Sequence, residues 1–99
     1  MAIDAIVLHP TDNVATAVQD LKKGQLAIIR LGREINHISM IEDIPYGHKF
    51  AVRLINKGEK ILKYGEVIGR ATLAIDSGCH AHVQNIESLR GRGDLQGEA

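Results

Sequence analysis

The stretch "KFAVRLINKGEKILKYGEVIGRATLAI", Lys49 to Ile75, sets the expected fold. It consists of short apolar pieces interrupted by Gly58, Gly65 and Gly69. Strands this short, with turn residues about every eight to twelve positions, are typical of a barrel or a compact clip of bent strands. "NKGEK" indicates a turn, because Gly58 is free to adopt a positive φ. The stretch therefore predicts an all-β architecture.

The N-terminal part of the chain predicts a strand followed by one short helix. Ala2 to His9 mixes apolar and β-branched residues, and "PTDN" ends this strand. Thr11 or Asp12 would cap the helix, and Gly24 would end it. Apolar residues recur between these points at three- and four-residue spacing, as a helix requires: Val14, Ala17, Val18 and Leu21. No internal repeat is apparent.

Length and composition limit the classes of function. The chain has 99 residues, a formal net charge of zero, 3% aromatic residues and one cysteine. This predicts a single domain over residues 1–86, followed by a flexible glycine-rich tail over residues 87–99. Balanced charge and few aromatic rings exclude a nucleic-acid partner, and the lack of an apolar run of about 18 residues excludes the membrane. Without an export signal, the cytoplasm is the expected compartment.

Histidine is concentrated in "GCHAHVQN", Gly78 to Asn85. As a strand, this segment would turn two sets of side chains to opposite faces: Cys79, Ala81 and Val83 towards the core, and His80, His82 and Gln84 away from it. Two imidazoles at this spacing lie about 7 Å apart at the backbone and can converge on one metal ion. A metal site has roughly three or four protein ligands, so another would come from His48 or a second chain. Metal ligation, a substrate-facing polar role and inert surface all remain open.

Two further motifs carry charged or polar groups. "YGHKF" places His48 beside Lys49, a pair that can polarise a carboxylate or move a proton at neutral pH, although such a pair at the start of a strand can equally be solvated. "KYGEVIG" indicates a sharp bend that presents Lys63 and Tyr64 at its edge. This second motif lacks the Gly-Lys-Ser/Thr ending of a phosphate-binding loop.

Taken in order, four motifs resemble the SAF-type domain of the UxaA family, the small N-terminal domain of altronate and galactarate dehydratases. They are "H-x-x-D-N-V-A-x-A", "G-H-K-F-A", "I-x-K-Y-G-x-x-I-G-x-A" and "I-x-x-G-x-H-x-H", and the resemblance runs from about His9 to Asn85. It implies a β-clip fold of short bent strands. The ending "ESLRGRGDL" is similar to that of stand-alone small subunits such as the alpha subunit of (2R)-sulfolactate sulfo-lyase.

The resemblance implies the small subunit of a two-component lyase that eliminates water or sulfite from a hydroxy-acid such as altronate, galactarate or sulfolactate. It implies a large catalytic subunit of the same family as partner, without which this chain is inactive, and leaves a homo-oligomer open. It also implies a divalent metal cofactor, with iron, manganese, magnesium and zinc as candidates. The implied roles are catalysis for His48, substrate binding for Lys49, Lys63, Tyr64 and Asn85, and metal binding for His80 and His82.

Two other functions remain open. SAF-type domains also serve as binding modules, so the same residues could recognise an anion or carbohydrate without chemistry. A purely structural subunit is the third reading. The sugar-acid dehydratases tend to carry a third histidine where this chain has Gln84, which counts against a metal site and favours a relative with an altered substrate over an altronate enzyme.

Overall fold

The computed structural model describes residues 2–89, which form nine short strands in two sheets. The mainly-β prediction is confirmed. The sheet orders are β4-β3-β1-β2-β5-β8 and β6-β7-β9. Within the described residues, no helix is long and apolar enough to cross a bilayer. The strands are β1 (Ala5–Val7), β2 (Val14–Ala17), β3 (Leu26–Leu31), β4 (Glu34–Ser39), β5 (Lys49–Ala51), β6 (Lys60–Lys63), β7 (Glu66–Ala71), β8 (His80–Ala81) and β9 (Ile86–Ser88).

The predicted N-terminal helix is wrong, because its residues form strand β2 and a turn. β2 pairs antiparallel with β1 on one side and with β5 on the other, so its backbone hydrogen bonds go to neighbouring strands. Three of its four residues are buried, and together with buried Leu21 they mimic the spacing of a helical apolar face. Gly24 has the positive φ expected at a helix end, 88°, but it closes a β-turn.

Two segments of the described chain, residues 17–48 and 51–79, follow the same path, and we call each of them a unit. The sequence analysis missed this repeat. Each unit enters a one-residue bridge, turns at a glycine, makes a β-hairpin, returns to the bridge and turns at a second glycine. The bridges are Leu21 with Ile44 and Ile55 with Ile75. In both units the amide of each turn glycine donates an equivalent long-range hydrogen bond of 2.8 or 2.9 Å to a backbone carbonyl: Gly24 to Met40 and Gly58 to Ala71 at the first turns, and Gly47 to Ala17 and Gly78 to Ala51 at the second turns.

Each unit has its own hydrophobic core, and strand β5 lies between the two. The first core includes Leu21, Met40, Ile44 and Phe50. The second includes Val14, Ala51, Ile55, Ile61 and Ile75. Successive residues of a strand point to opposite faces, so Phe50 enters one core while Ala51 enters the other. This placement fixes the preceding residues, His48 and Lys49, between two packed bodies.

Alanine is expected to be tolerated far less well at Gly78 than at Gly58. Both glycines have a φ of 88°, so each substitution carries a left-handed penalty of about 1–2 kcal/mol. A Cβ at Gly58 would meet no heavy atom within 4 Å, whereas at Gly78 it would lie 2.2 Å from the backbone oxygen of Ser39. Overpacking should add about 1–3 kcal/mol for Gly78→Ala. Equal losses of unfolding free energy in urea for the two variants would contradict this expectation.

Candidate functional site: a histidine cluster beside a lysine-lined pocket

Three histidine side chains meet where β5 and β8 pair. His48 precedes β5, His80 begins β8 and His82 follows it. Their rings stack with centroids 4.3, 5.0 and 5.3 Å apart. One nitrogen from each ring belongs to a set whose members all lie within 4.8 Å of one another, so the three residues could hold a metal ion. The structure thus adds His48 to the predicted pair of His80 and His82.

The strand expected over Gly78 to Asn85 ends at Ala81, and a turn brings His82 into the cluster. Asn85 holds this turn: its Oδ1 accepts from the His82 amide at 2.9 Å, and its Nδ2 donates to the His80 carbonyl at 2.9 Å. The Asn85 amide group is therefore engaged within the chain. Glu42, which the sequence analysis did not single out, accepts a hydrogen bond from the His80 amide at 2.8 Å.

The early end of the strand also changes which side chains are buried. Ala81 is buried as predicted, and Cys79 is partly buried against the second core. The prediction for Val83 is wrong, since it is 81% exposed where the chain has left the sheet. Gln84 reaches back to the cluster, with its Nε2 3.3 Å from Nδ1 of His80.

Burial favours the neutral form of two members of the cluster, His80 and His82. Burial first, and then the neighbouring His48, lowers the pKa of His80 and of His82 from the ordinary value of 6.5. Nδ1 of His48 lies 2.8 Å from Nε2 of His80, within hydrogen-bond distance. Nδ1 of His82 is buried without a hydrogen-bond partner among the described residues. Leaving such an atom unsatisfied costs about 1–3 kcal/mol, so a ligand from outside these residues would be stabilised there.

An open pocket of about 330 Å³ adjoins the cluster. Burial, and then the charge of Lys63, lowers the pKa of Lys49, as expected when two ammonium groups face one space. Nζ of Lys63 lies 4.8 Å from the centre of the Tyr64 ring. The structure thus brings four predicted site residues to one pocket. Its lining consists of Lys49, Lys63, Tyr64, Ile68, His82, Val83, Ile86 and Ser88.

The segment His9 to Asn13 holds the turn that presents Lys63 and Tyr64. Asp12 is buried, and its carboxylate accepts hydrogen bonds from the amides of Tyr64 at 2.9 Å and of Gly65 at 2.8 Å. These bonds stabilise the positive φ of Tyr64, 58°, which is unusual for a residue with a side chain. The predicted helix-capping role of Asp12 is therefore wrong, because the carboxylate caps a turn in the second unit instead.

Residues 3–89 match the family described as the altronate/galactarate dehydratase SAF domain. The chain belongs to this family. All the residues of the histidine cluster and the lysine-lined pocket lie within the matched range.

Relatives of this SAF domain occur in long and short proteins. It is 38% identical over 80 residues to altronate dehydratase of Escherichia coli (strain K12), which covers 81% of this chain and 15% of that enzyme. Altronate dehydratase of Bacillus subtilis (strain 168) is 39% identical over 83 residues, with coverages of 84% and 16%. The (2R)-sulfolactate sulfo-lyase subunit alpha of Chromohalobacter salexigens is 32% identical over 94 residues, covering 91% of this chain and 99% of that subunit. The SAF domain thus spans about one sixth of the dehydratases and nearly all of the sulfo-lyase subunit.

Proposed function

We propose that this SAF domain is the small subunit of a cytoplasmic two-component lyase that eliminates water or sulfite from a hydroxy-acid. The observation that carries this proposal is the open pocket in which two lysines face His82, a member of the three-histidine cluster. The names of the relatives, altronate dehydratase and sulfolactate sulfo-lyase, agree with elimination from an acid. Coverage of nearly the whole alpha subunit supports a stand-alone small chain.

In this proposal, Lys49 and Lys63 bind the carboxylate of the substrate. Both line the pocket, where burial, and then the charge of Lys63, lowers the pKa of Lys49. A bound carboxylate would add a negative charge beside the two lysines and form charge-assisted hydrogen bonds to both ammonium groups. Tyr64, on the same wall, would donate a hydrogen bond to a substrate hydroxyl. Asn85 would act indirectly, through the turn that positions His82.

Elimination breaks a C–H bond and, on the adjacent carbon, a C–O or C–S bond, while a C=C bond forms between them. A base must take the proton, and the leaving group departs as water after gaining a proton or as sulfite. We assign the proton transfer to His48, because an imidazole side chain can exchange protons near neutral pH and Nδ1 of His48 lies within hydrogen-bond distance of Nε2 of His80, at 2.8 Å.

The residues of the cluster fit a divalent metal ion. His82 has a buried nitrogen without a partner among the described residues, and the lowered pKa values of His80 and His82 favour the neutral, metal-binding form. His80 and His82 would hold the ion, with His48 as the third donor. Imidazole donors suit zinc and iron better than magnesium or manganese. When bound, the ion would supply Lewis-acid polarisation of a substrate oxygen.

A large subunit would complete the site. The pocket is open to solvent, and two apolar side chains on its wall are strongly exposed, Val83 at 81% and Tyr64 at 54%. Apolar surface beside a charged pocket is typical of a protein–protein contact. The partner we propose is the large chain of the same family, corresponding to the part of the dehydratases that this SAF domain does not span.

The test is co-expression of this chain with the large chain of the same family from the same genome. We expect stable association on size-exclusion chromatography, and elimination from sulfolactate or a hexonate only when both chains and a divalent metal are present. Association without turnover on any acid would point to a structural subunit. Failure to associate, with anion binding by the small chain alone, would identify a free binding module and overturn the lyase proposal.

A further inference from the structure

Both ring nitrogens of His80 are engaged in the protein. Nε2 lies 2.8 Å from Nδ1 of His48, and Nδ1 lies 3.3 Å from the amide nitrogen of Gln84. Gln84 is held near His80 by the short turn over residues 82–85, which the Asn85 side chain closes at both ends. The contact between Gln84 and His80 is therefore a product of the local fold.

The same arrangement links the orientation of the Gln84 amide to the position of the His80 proton. When the amide nitrogen of Gln84 faces His80, it donates, and Nδ1 of His80 is bare. A neutral imidazole then has its proton on Nε2, which donates to Nδ1 of His48. In this state the Nε2 lone pair of His80 is not available to an ion.

We propose that Gln84 is a positioning residue that selects the metal-binding tautomer of His80 by turning its amide over. With Oε1 facing His80, the amide accepts a hydrogen bond from Nδ1–H, and Nε2 is left bare for a metal ion. Glutamine is suited to this role because one end of its amide donates and the other accepts. Gln84 is exposed, so nothing buried has to move when the amide turns. The proposal rests on the metal site proposed above.

Outer partners of this kind orient metal-bound histidines generally, and their loss lowers metal affinity by about 10–100-fold. Two substitutions separate the roles of the amide. Gln84→Glu leaves only an acceptor, which holds the proton on Nδ1 of His80 at all times. Gln84→Leu removes both the donor and the acceptor at similar size. Val18→Ala, at an exposed valine that lies outside the pocket and the histidine cluster, is the control.

The experiment is a titration of the purified protein with Zn²⁺ alone, in competition with a chromophoric chelator. We expect Gln84→Leu to weaken Zn²⁺ binding by about tenfold, Gln84→Glu to match or exceed the unmodified protein, and Val18→Ala to have no effect. Nitrogen-15 NMR of the histidine side chains should show the His80 proton on Nε2 without Zn²⁺ and on Nδ1 with it.

The outcomes separate this proposal from the metal site itself. If His80→Ala abolishes Zn²⁺ binding while Gln84→Leu binds like the unmodified protein, the role of Gln84 is overturned and the metal site stands. If His80→Ala binds Zn²⁺ as well as the unmodified protein, both are overturned. A His80 proton on Nδ1 in the metal-free protein would also contradict the role of Gln84.

Discussion

Replacement of His82 by alanine is expected to lower the affinity of the protein for Zn²⁺ by about 100-fold or more, since losing a ligand should exceed the loss of an outer partner. His82 is the member of the cluster whose buried Nδ1 has no partner among residues 2–89, so it has most to gain from an ion. Isothermal titration with Zn²⁺ measures the effect. His37→Ala is the matched control, because His37 is an exposed histidine on β4 outside the cluster.

His48 can be assigned by the same titration. If it is a ligand, His48→Ala should weaken Zn²⁺ binding to a similar extent, whereas a residue that only moves a proton would lower turnover and leave Zn²⁺ affinity intact. Unchanged affinity in the alanine variants of His48, His80 and His82 would contradict a metal site at this cluster.

The pH dependence of Zn²⁺ binding has a definite sign. The pKa values of His80 and His82 lie below 6.5, so protons begin to compete with the ion only at lower pH than for a free imidazole. Zn²⁺ affinity should therefore hold as the pH falls from 8 towards about 6.5, and should decline below that.

Lys63→Met is expected to raise the KM of the two-subunit enzyme for its hydroxy-acid by about 10–100-fold, the value of one charged hydrogen bond. The effect on kcat should be smaller, because the carboxylate is bound in the ground state as well as in the transition state. The same variant should raise the pKa of Lys49, since the charge of Lys63 is one of the two causes that lower it. Kinetics on the assembled enzyme and NMR titration of Lys49 measure the two effects.

Lys60→Met is the control for this prediction, because Lys60 is exposed on the same strand and does not line the pocket. A loss of kcat with an unchanged KM would assign Lys63 to the chemical step. An unchanged pKa of Lys49 would mean that the two ammonium groups do not face one space.

The β character of the fold could be predicted from sequence because glycine and short apolar pieces alternate along most of the chain. The helix was mispredicted because β2 and Leu21 together give the apolar spacing of a short helix. Strand β2 pairs on both sides, and three of its four residues are buried. The repeat was missed because its sequence signal is short. The first turns share an Ala-Val pair, an apolar residue and Lys-Gly, in Ala17 to Gly24 and in Ala51 to Gly58. The second turns share only an isoleucine three positions before a glycine, Ile44 before Gly47 and Ile75 before Gly78.

The candidate site was predictable in its residue types and less so in its geometry. The spacing of His80 and His82 indicated convergence, but the strand ends at Ala81, and a side-chain-stabilised turn completes the approach. The contact of Asp12 with the Tyr64 amide joins residues 52 positions apart and leaves no local signal in either segment. Periodicity reports neighbours along one element, so it could not reveal such a pair.

Strand β5 has a consequence for how the protein responds to stress. Phe50 belongs to one core and Ala51 to the other, so β5 contributes to both. Unfolding of either unit that displaces β5 would therefore also disrupt the core of the other unit. Hydrogen exchange at β5 should therefore proceed only through global unfolding, with no partly open form in which the pocket survives. The repulsion between Lys49 and Lys63 is then offset by the folding free energy of both units together.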